Sequence, residues 1–489
     1  MLGFRFVCKT GMTYNQRKRP DLENHFLLSK SPQSNMGSHE ATAQAFHGAV
    51  IHSLSTPGHD LEILPAALLI VEAQGVITAF HKDVKPGEVG SLIDTATTTL
   101  HYLSPSQFII PGFIDTHNHA PQWAQRGLGQ GQHILDWLSA ITFPNEGRFR
   151  DPSHAQRIYS SAIDGFLRQG ITTASYYGSI HPEATNILAD LCLAKGQRAF
   201  VGKCNMTRNS PDYYRDASVE QSLRDTESCI AHIRKIDPEG MLLKHVLTPR
   251  FAISCDADGL AGLGQIAAKN PDLPIQTHFN EAEQEITATR ELFPQFSSEA
   301  DLYHHYGLLT KRSILAHCCY MAPHEFDKLK ELQCGVAHCP ISNMTVGGGF
   351  MAAPIREFLN RGIKVGLGTD SGGGFSSSML DAIRQAMIAS HAREVESKGR
   401  DKGLKIAEAF YLATLGGAEV CCLEDKVGNF EVGKEFDALV VDWQRDGVMT
   451  IVEEEDELDT VFEKFVMTGD DRNIVRVLVK GRMVREVKI

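Results

Sequence analysis

No run of eighteen apolar residues occurs in this chain, and its longest apolar stretches, residues 66–71 and 108–114, have the length of buried strands. A membrane-spanning helix is therefore not expected. An excess of basic charge is also missing: 48 Lys and Arg against 60 Asp and Glu leave a net charge of −12, with an isoelectric point near 6.0. Phosphate backbones are bound by clustered Lys and Arg, so no nucleic-acid partner is expected and a neutral or small substrate fits better. Absent, too, is any C-x-x-C pair. Eleven cysteines are scattered from Cys8 to Cys422, two of the pairs being adjacent. With no secretory signal read ahead of them, they are expected to be buried thiols in a reducing compartment.

What is present is enough chain for one large domain and a smaller one, since 489 residues exceed a single compact core. The first 35 residues stand apart, with a basic cluster at Arg17-Lys18-Arg19, few periodic hydrophobics and a second methionine at Met36. Residues 1–45 are read as a disordered N-terminal extension, with an upstream start or a transit peptide as the other readings; Asp21 and Glu23 count against the last. Residues 46–110 alternate strand and turn, and the same texture returns over residues 425–489, so a small β-sandwich domain built from both ends is expected. The acidic run Glu453-Glu454-Glu455-Asp456-Glu457 reads as a solvated loop. The C-terminus carries no recognisable address.

Residues 111–424 alternate short apolar strands with helical stretches. Eight strands are predicted: 113–119, 171–177, 199–206, 245–253, 274–278, 313–317, 335–339 and 365–370. Helical patterns fall between them, for example over 155–167, 281–292 and 378–391. Eight such units predict a (β/α)8 TIM barrel.

Polar residues that bind metals terminate several of these strands. The first ends Asp115-Thr116-His117-Asn118-His119, and residues i and i+2 of a strand face the same way, so His117 and His119 can share one ion. His278, His317 and Asp370 close the fifth, sixth and eighth strands. Barrel enzymes place their sites at the C-terminal ends of strands, where all five lie. A lone H-x-H is weak in a chain with 21 histidines, but the joint set is hard to assemble by accident. Three histidines and a carboxylate suit Zn²⁺ or Fe²⁺ and leave a position for water.

Headed by Pro111-Gly112-Phe113-Ile114-Asp115-Thr116-His117-Asn118-His119, this constellation resembles the amidohydrolase superfamily over about residues 46–489. Within it the chain is most similar to the guanine deaminase family. The motifs concerned include His119-Ala120-Pro121-Gln122-Trp123, Thr142-Phe143-Pro144, Thr248-Pro249-Arg250-Phe251, His338-Cys339-Pro340-Ile341-Ser342-Asn343 and Gly366-Leu367-Gly368-Thr369-Asp370. Trp123 departs from the tyrosine more usual there. Binuclear members of the superfamily carry a carboxylated lysine at the end of strand four; here that strand ends in Arg250-Phe251, and Lys203 lies on strand three, so one metal is expected. The cytidine-deaminase signature is only half present, as His181-Pro182-Glu183 without a following C-x-x-C, and is set aside as chance.

The resemblance implies hydrolytic deamination of guanine to xanthine and ammonia, by a cytosolic homodimer with one divalent ion per subunit, Zn²⁺ before Fe²⁺. It implies His117, His119, His278 and Asp370 as metal ligands. Asp370 is also expected to move the water proton, Glu281 to protonate a ring nitrogen, and His317 to hydrogen-bond the developing charge. Arg250, a pure donor, suits the guanine carbonyl; Gln122 suits an edge with N and N–H; Trp123, Phe251, His278 and Glu281 complete the substrate contacts. Glu281 could instead favour a helix N-terminus, and Arg250 could be a structural ion-pair partner. The rival readings are a single-metal deaminase acting on cytosine, a triazine or a modified purine, and a non-catalytic scaffold that keeps the fold.

Overall fold

The computed structural model describes residues 42–487 except Pro57 and Gly348. The expectations for residues 1–41, with the basic cluster and Met36, lie outside these residues. Five strands come first: β1 (Ala43–Ser53), β2 (Leu61–Val71), β3 (Ile77–Lys82), β4 (Thr98–Tyr102) and β5 (Gln107–Pro111). The middle of the chain holds β6 (Phe113–His119), β7 (Ile171–Tyr177), β8 (Arg198–Gly202), β9 (Cys204–Asn205), β10 (Leu243–His245), β11 (Thr248–Pro249), β12 (Ile275–Phe279), β13 (Ser313–His317), β14 (Gly335–His338) and β15 (Lys364–Leu367). Three more follow: β16 (Ala438–Asp442), β17 (Ile474–Val479) and β18 (Arg482–Glu486).

Strands from both ends of the chain share one eight-stranded sheet, in the order β18-β17-β16-β5-β1-β2-β3 with β4 beside β1. Alternation explains why β5 and β16 sit at its centre. Ile109, Ala438 and Val440 point into a core of the sheet's own, with Phe46, Leu69 and Leu478. Their neighbours Phe108, Ile110, Leu439 and Val441 point the other way, into the main core. The expected boundary at residue 46 needs correcting, because β1 begins at Ala43. Gln44 is held there by its pairing with Val71 and by its side chain's bond to the Gly481 carbonyl at 2.9 Å, neither of which leaves a hydrophobic signature. The C-terminal part is also not all strand. The helix Leu458–Thr468 buries Val461, Phe462, Phe465 and Val466 in the main core.

The middle strands form two four-stranded parallel sheets, β10-β8-β7-β6 and β12-β13-β14-β15, with β11 paired to β9. Leu247 bridges to Ile275 at one seam. At the other, the Asp370 amide donates to the His117 carbonyl at 2.9 Å and Thr116 Oγ1 to the Leu367 carbonyl at 2.8 Å. Strands β6 and β7 are buried at every residue, as parallel strands covered on both faces require. The strands expected over 199–206 and 245–253 are each interrupted. Val246 donates to Val201 but Leu247 donates to Pro274, so the chain changes neighbours between them, and Pro249 has no N–H with which to extend a ladder.

The helix Pro152–Arg168 is capped by Asp151, whose side chain accepts from the Ser153 amide, and it buries Ile158, Ala162, Ile163 and Phe166. The helix expected to start at residue 281 starts at Glu283 instead. Asn280 takes a left-handed φ of 47°, which ends the strand in a tight loop and leaves Glu281 on that loop. Among the described residues the cysteines are free thiols, all buried except Cys422, and no helix is long and apolar enough to cross a membrane. The acidic run is mostly exposed, with Asp456 paired to Lys464.

Candidate active site

Four strand ends converge on one buried point. His117 and His119, two residues apart on β6, lie 3.3 and 3.5 Å from Asp370 Oδ1 through their Nε2 atoms. His278, at the end of β12, brings its Nε2 to 3.1 Å from that of His119. His317, at the end of β13, stacks on His278 with ring centroids 5.3 Å apart. Left-handed φ values at His317 (76°), Cys318 (49°) and Asp370 (43°) turn the chain sharply around this point. Strained backbone of this kind persists only where its surroundings enforce it.

Asp115 supplies much of that enforcement. Its buried carboxylate accepts from Thr369 N at 2.9 Å and Thr369 Oγ1 at 2.6 Å, and from Asn118 Nδ2 at 3.0 Å. Burial pushes its pKa up to about 6 against the pull of Thr369. The bonds lock the end of β6 to the turn that carries Asp370. Sequence reasoning saw Asp115 only as part of a motif and gave it no role.

The donor set fits a divalent ion. Nε2 of His117 and Nε2 of His317 are buried without a hydrogen-bond partner, an expense that an ion would remove. His278 directs Nδ1 at the Arg250 carbonyl, 2.6 Å away, and His317 directs Nδ1 at Asn343 Oδ1, 2.8 Å away. Carrying the proton on Nδ1 frees each Nε2 lone pair for the centre. Burial holds His119 and His278 well below the usual histidine range and brings His317 down to about 4, so these rings are neutral, as metal ligation requires. Burial alone would raise Asp370, but its contact with His117 and the neighbouring histidines hold it well below the usual carboxylate range. Two groups, His117-His119-Asp370 and His117-His278-His317, each have ligand atoms within 4.8 Å of one another. The protein thus has a His/Asp group able to hold a divalent metal.

Glu281 lies beside this group, its Oε1 3.6 Å from His317 Nδ1. Burial, with the nearby Glu285 and Asp370 charges, lifts its pKa well above the usual range. Its backbone N–H donates to Glu285 Oε2 at 2.7 Å. Glu285 also accepts from Ala282 N, so it caps the following helix, and Glu281 is free of the helix-terminal role.

Next to the group is a cleft lined by His119, Gln122, Arg250, Phe251, His278, Glu281 and Asp370, together with the apolar Ile134, Trp137 and Leu138. The cleft is narrow, with a free volume of about 30 Å³. A larger cavity of about 440 Å³ behind Glu281 is lined by none of the converging histidines.

Trp123 is not in the cleft, contrary to expectation. It sits in a 3₁₀ segment, Ala120–Gln125, in which residues three apart share a face. Gln122 and Gln125 therefore point inward, while Trp123 packs outward on Phe166 and bonds Ser161 Oγ at 3.1 Å, with Arg126 3.4 Å above its ring. Trp137 supplies the cleft's tryptophan instead. Lys203 is buried in a bond to Asp216 Oδ1 at 2.6 Å, away from the histidines.

Arg250 has a partner that sequence reasoning missed. Its Nη1 lies 2.6 Å from Glu146 Oε2 and its Nη2 3.2 Å from Oε1. Burial works against the guanidinium, but Glu146 more than offsets it. A lone glutamate two residues after Thr142-Phe143-Pro144 carries no pattern that would have marked it.

Residues 108–484 match the amidohydrolase family. The chain is 40% identical over 447 residues to a probable guanine deaminase of Schizosaccharomyces pombe, covering 91% of this chain and 84% of that one. It is 37% identical to a guanine deaminase of Dictyostelium discoideum, covering 90% and 98%. The guanine deaminase of C. acetobutylicum, solved with guanine in its active site, superposes with a TM-score of 0.81 at 32% identity, covering 90% and 99%. Geometry and kinship agree: the chain belongs to the amidohydrolase family, in the branch of the guanine deaminases.

Proposed function

We infer that this protein is a hydrolase that deaminates guanine to xanthine and ammonia. One observation carries the reading furthest: Arg250 and Gln122, suited to the carbonyl edge of the base, line the same cleft as His119, His278 and Asp370. The similarity to relatives named guanine deaminase, one solved with guanine bound, supports it.

His117, His119, His278 and Asp370 would hold one divalent ion, Zn²⁺ before Fe²⁺ from the imidazole-rich set. Such an ion supplies Lewis acidity, bringing the pKa of a coordinated water to about 7. The remaining work falls to the chain. Asp370 takes the proton of the attacking water and passes it to the departing amino nitrogen, so that water and guanine leave as xanthine and ammonia. Burial and the nearby Glu285 and Asp370 charges push the Glu281 carboxyl towards its protonated form. Glu281 delivers a proton to the ring nitrogen beside the amino-bearing carbon and regains one from the added hydroxyl as the new carbonyl forms. His317, its Nε2 lone pair facing the centre, accepts a hydrogen bond from the attacking water and so orients it. Arg250 donates to the carbonyl, and Phe251 packs on the base.

The seam bonds between the two parallel sheets favour closure into a (β/α)8 barrel over residues 111–424. The separate core of the eight-stranded sheet favours a small β-sandwich formed by residues 43–110 and 425–489. A cytosolic homodimer completes the reading. A substrate panel tests it: purified protein should release ammonia from guanine far faster than from cytosine or adenine. A preference for cytosine would replace the assignment.

A further inference from the structure

Glu146 ends the short helix Phe143–Glu146, and its side chain is fully buried. Four donors converge on its carboxylate. Oε1 accepts from Gln122 Nε2 at 2.8 Å and Arg250 Nη2 at 3.2 Å. Oε2 accepts from Arg250 Nη1 at 2.6 Å and the Tyr214 hydroxyl at 2.5 Å. An ionised carboxylate has about four lone-pair sites, so its capacity is filled, and none of the four contacts comes from a substrate.

This has a consequence for the base. A carboxylate can only accept, so Gln122 must turn its NH₂ towards Glu146 and keep Oε1 for other partners. That oxygen has only a long contact from Gln125 Nε2, at 3.4 Å. Arg250 can only donate. The guanidinium is further confined by the Phe143 ring, whose centroid lies 5.6 Å from its central carbon. The pair therefore offers the cleft a donor and an acceptor in fixed order.

We propose that Glu146 is the positioning residue that sets base specificity: by fixing Gln122 as an acceptor and Arg250 as a donor, it makes the site read an N–H beside a carbonyl and refuse the reversed edge. The inference rests on the reading of this cleft as the guanine site. Guanine carries the matching edge at its ring N–H and carbonyl. In 2,6-diaminopurine the 2-amino group remains available for hydrolysis while that edge is reversed to a bare nitrogen and an amino group. A site built to hydrogen-bond one pattern leaves buried polar groups unpaired with the other, which is a strong basis for rejection.

The test compares kcat/KM on guanine and 2,6-diaminopurine for metal-loaded wild type, Glu146→Gln and Glu146→Asp. In Glu146→Gln the new amide can donate to Gln122, releasing it to present its NH₂. Because that variant leaves a buried guanidinium unpaired and can fail to fold, Glu146→Asp keeps the charge and withdraws the oxygens from Gln122. We expect wild type to prefer guanine strongly, and the preference to shrink by about 10-fold or more in the folded variants, with metal content unchanged. A guanine to 2,6-diaminopurine ratio equal to that of wild type, with both rates reduced alike, would make Glu146 merely structural and overturn the proposal. Absence of guanine deamination in wild type would instead overturn the functional reading itself.

Discussion

The carbonyl oxygen of Arg250 accepts from Nδ1 of His278 at 2.6 Å. One residue thus serves both halves of the site, its backbone orienting a metal-ligating ring and its side chain facing the cleft. The same oxygen also accepts from the His278 backbone N–H at 3.1 Å, so both the ring and the backbone of His278 are tied to it. The division of labour separates the effects of substitutions.

Replacing His117 or His278 with alanine should remove most bound metal and abolish turnover, because each supplies one of four protein ligands. Elemental analysis of the purified variants checks this. Full metal occupancy in His278→Ala would strike it from the ligand set.

Arg250→Lys should leave metal content unchanged, since the carbonyl that steers His278 remains. Lysine keeps the charge but loses the fork that engages Glu146, so the rate on guanine should fall by roughly 10²–10³. Steady-state kinetics with metal analysis of the same sample decides it; wild-type turnover would contradict the assignment of Arg250 to the substrate.

Glu281→Gln preserves size and packing but has no proton to deliver. Metal should stay bound while kcat falls by about 10²-fold or more. Near-normal kcat would remove Glu281 from the chemistry.

Gly372 holds a φ of +128°, and a Cβ placed there would come within 2.1 Å of Gln122 Oε1. Gly372→Ala should therefore raise KM for guanine by about 10-fold by displacing Gln122, a hydrogen-bonding partner of the base. Metal content should hold. An unchanged KM would mean that Gln122 does not touch the substrate.

The strands that were legible in the sequence share a physical cause. β6, β7 and β13 are buried throughout and bounded by breakers or charged turns, so the sequence marks where each begins and ends. The five histidine and aspartate candidates were legible because strand ends align them. The split of the third and fourth strands was not, because exchange of neighbours at Val246 and Leu247 depends on tertiary position. Trp123 was misplaced because its motif gives adjacency in sequence, whereas a 3₁₀ turn sends adjacent side chains to different faces. Glu146 was invisible because its partners, at positions 122, 214 and 250, lie far from it in sequence.

The most direct measurement follows ammonia release from guanine by the metal-loaded protein, before and after treatment with a chelator, and again after adding back Zn²⁺ or Fe²⁺. The account predicts stoichiometric xanthine and ammonia, loss of turnover with the metal, and recovery on its return. Full turnover by protein shown to be metal-free, or no ammonia from guanine by protein with one ion per subunit, would contradict it.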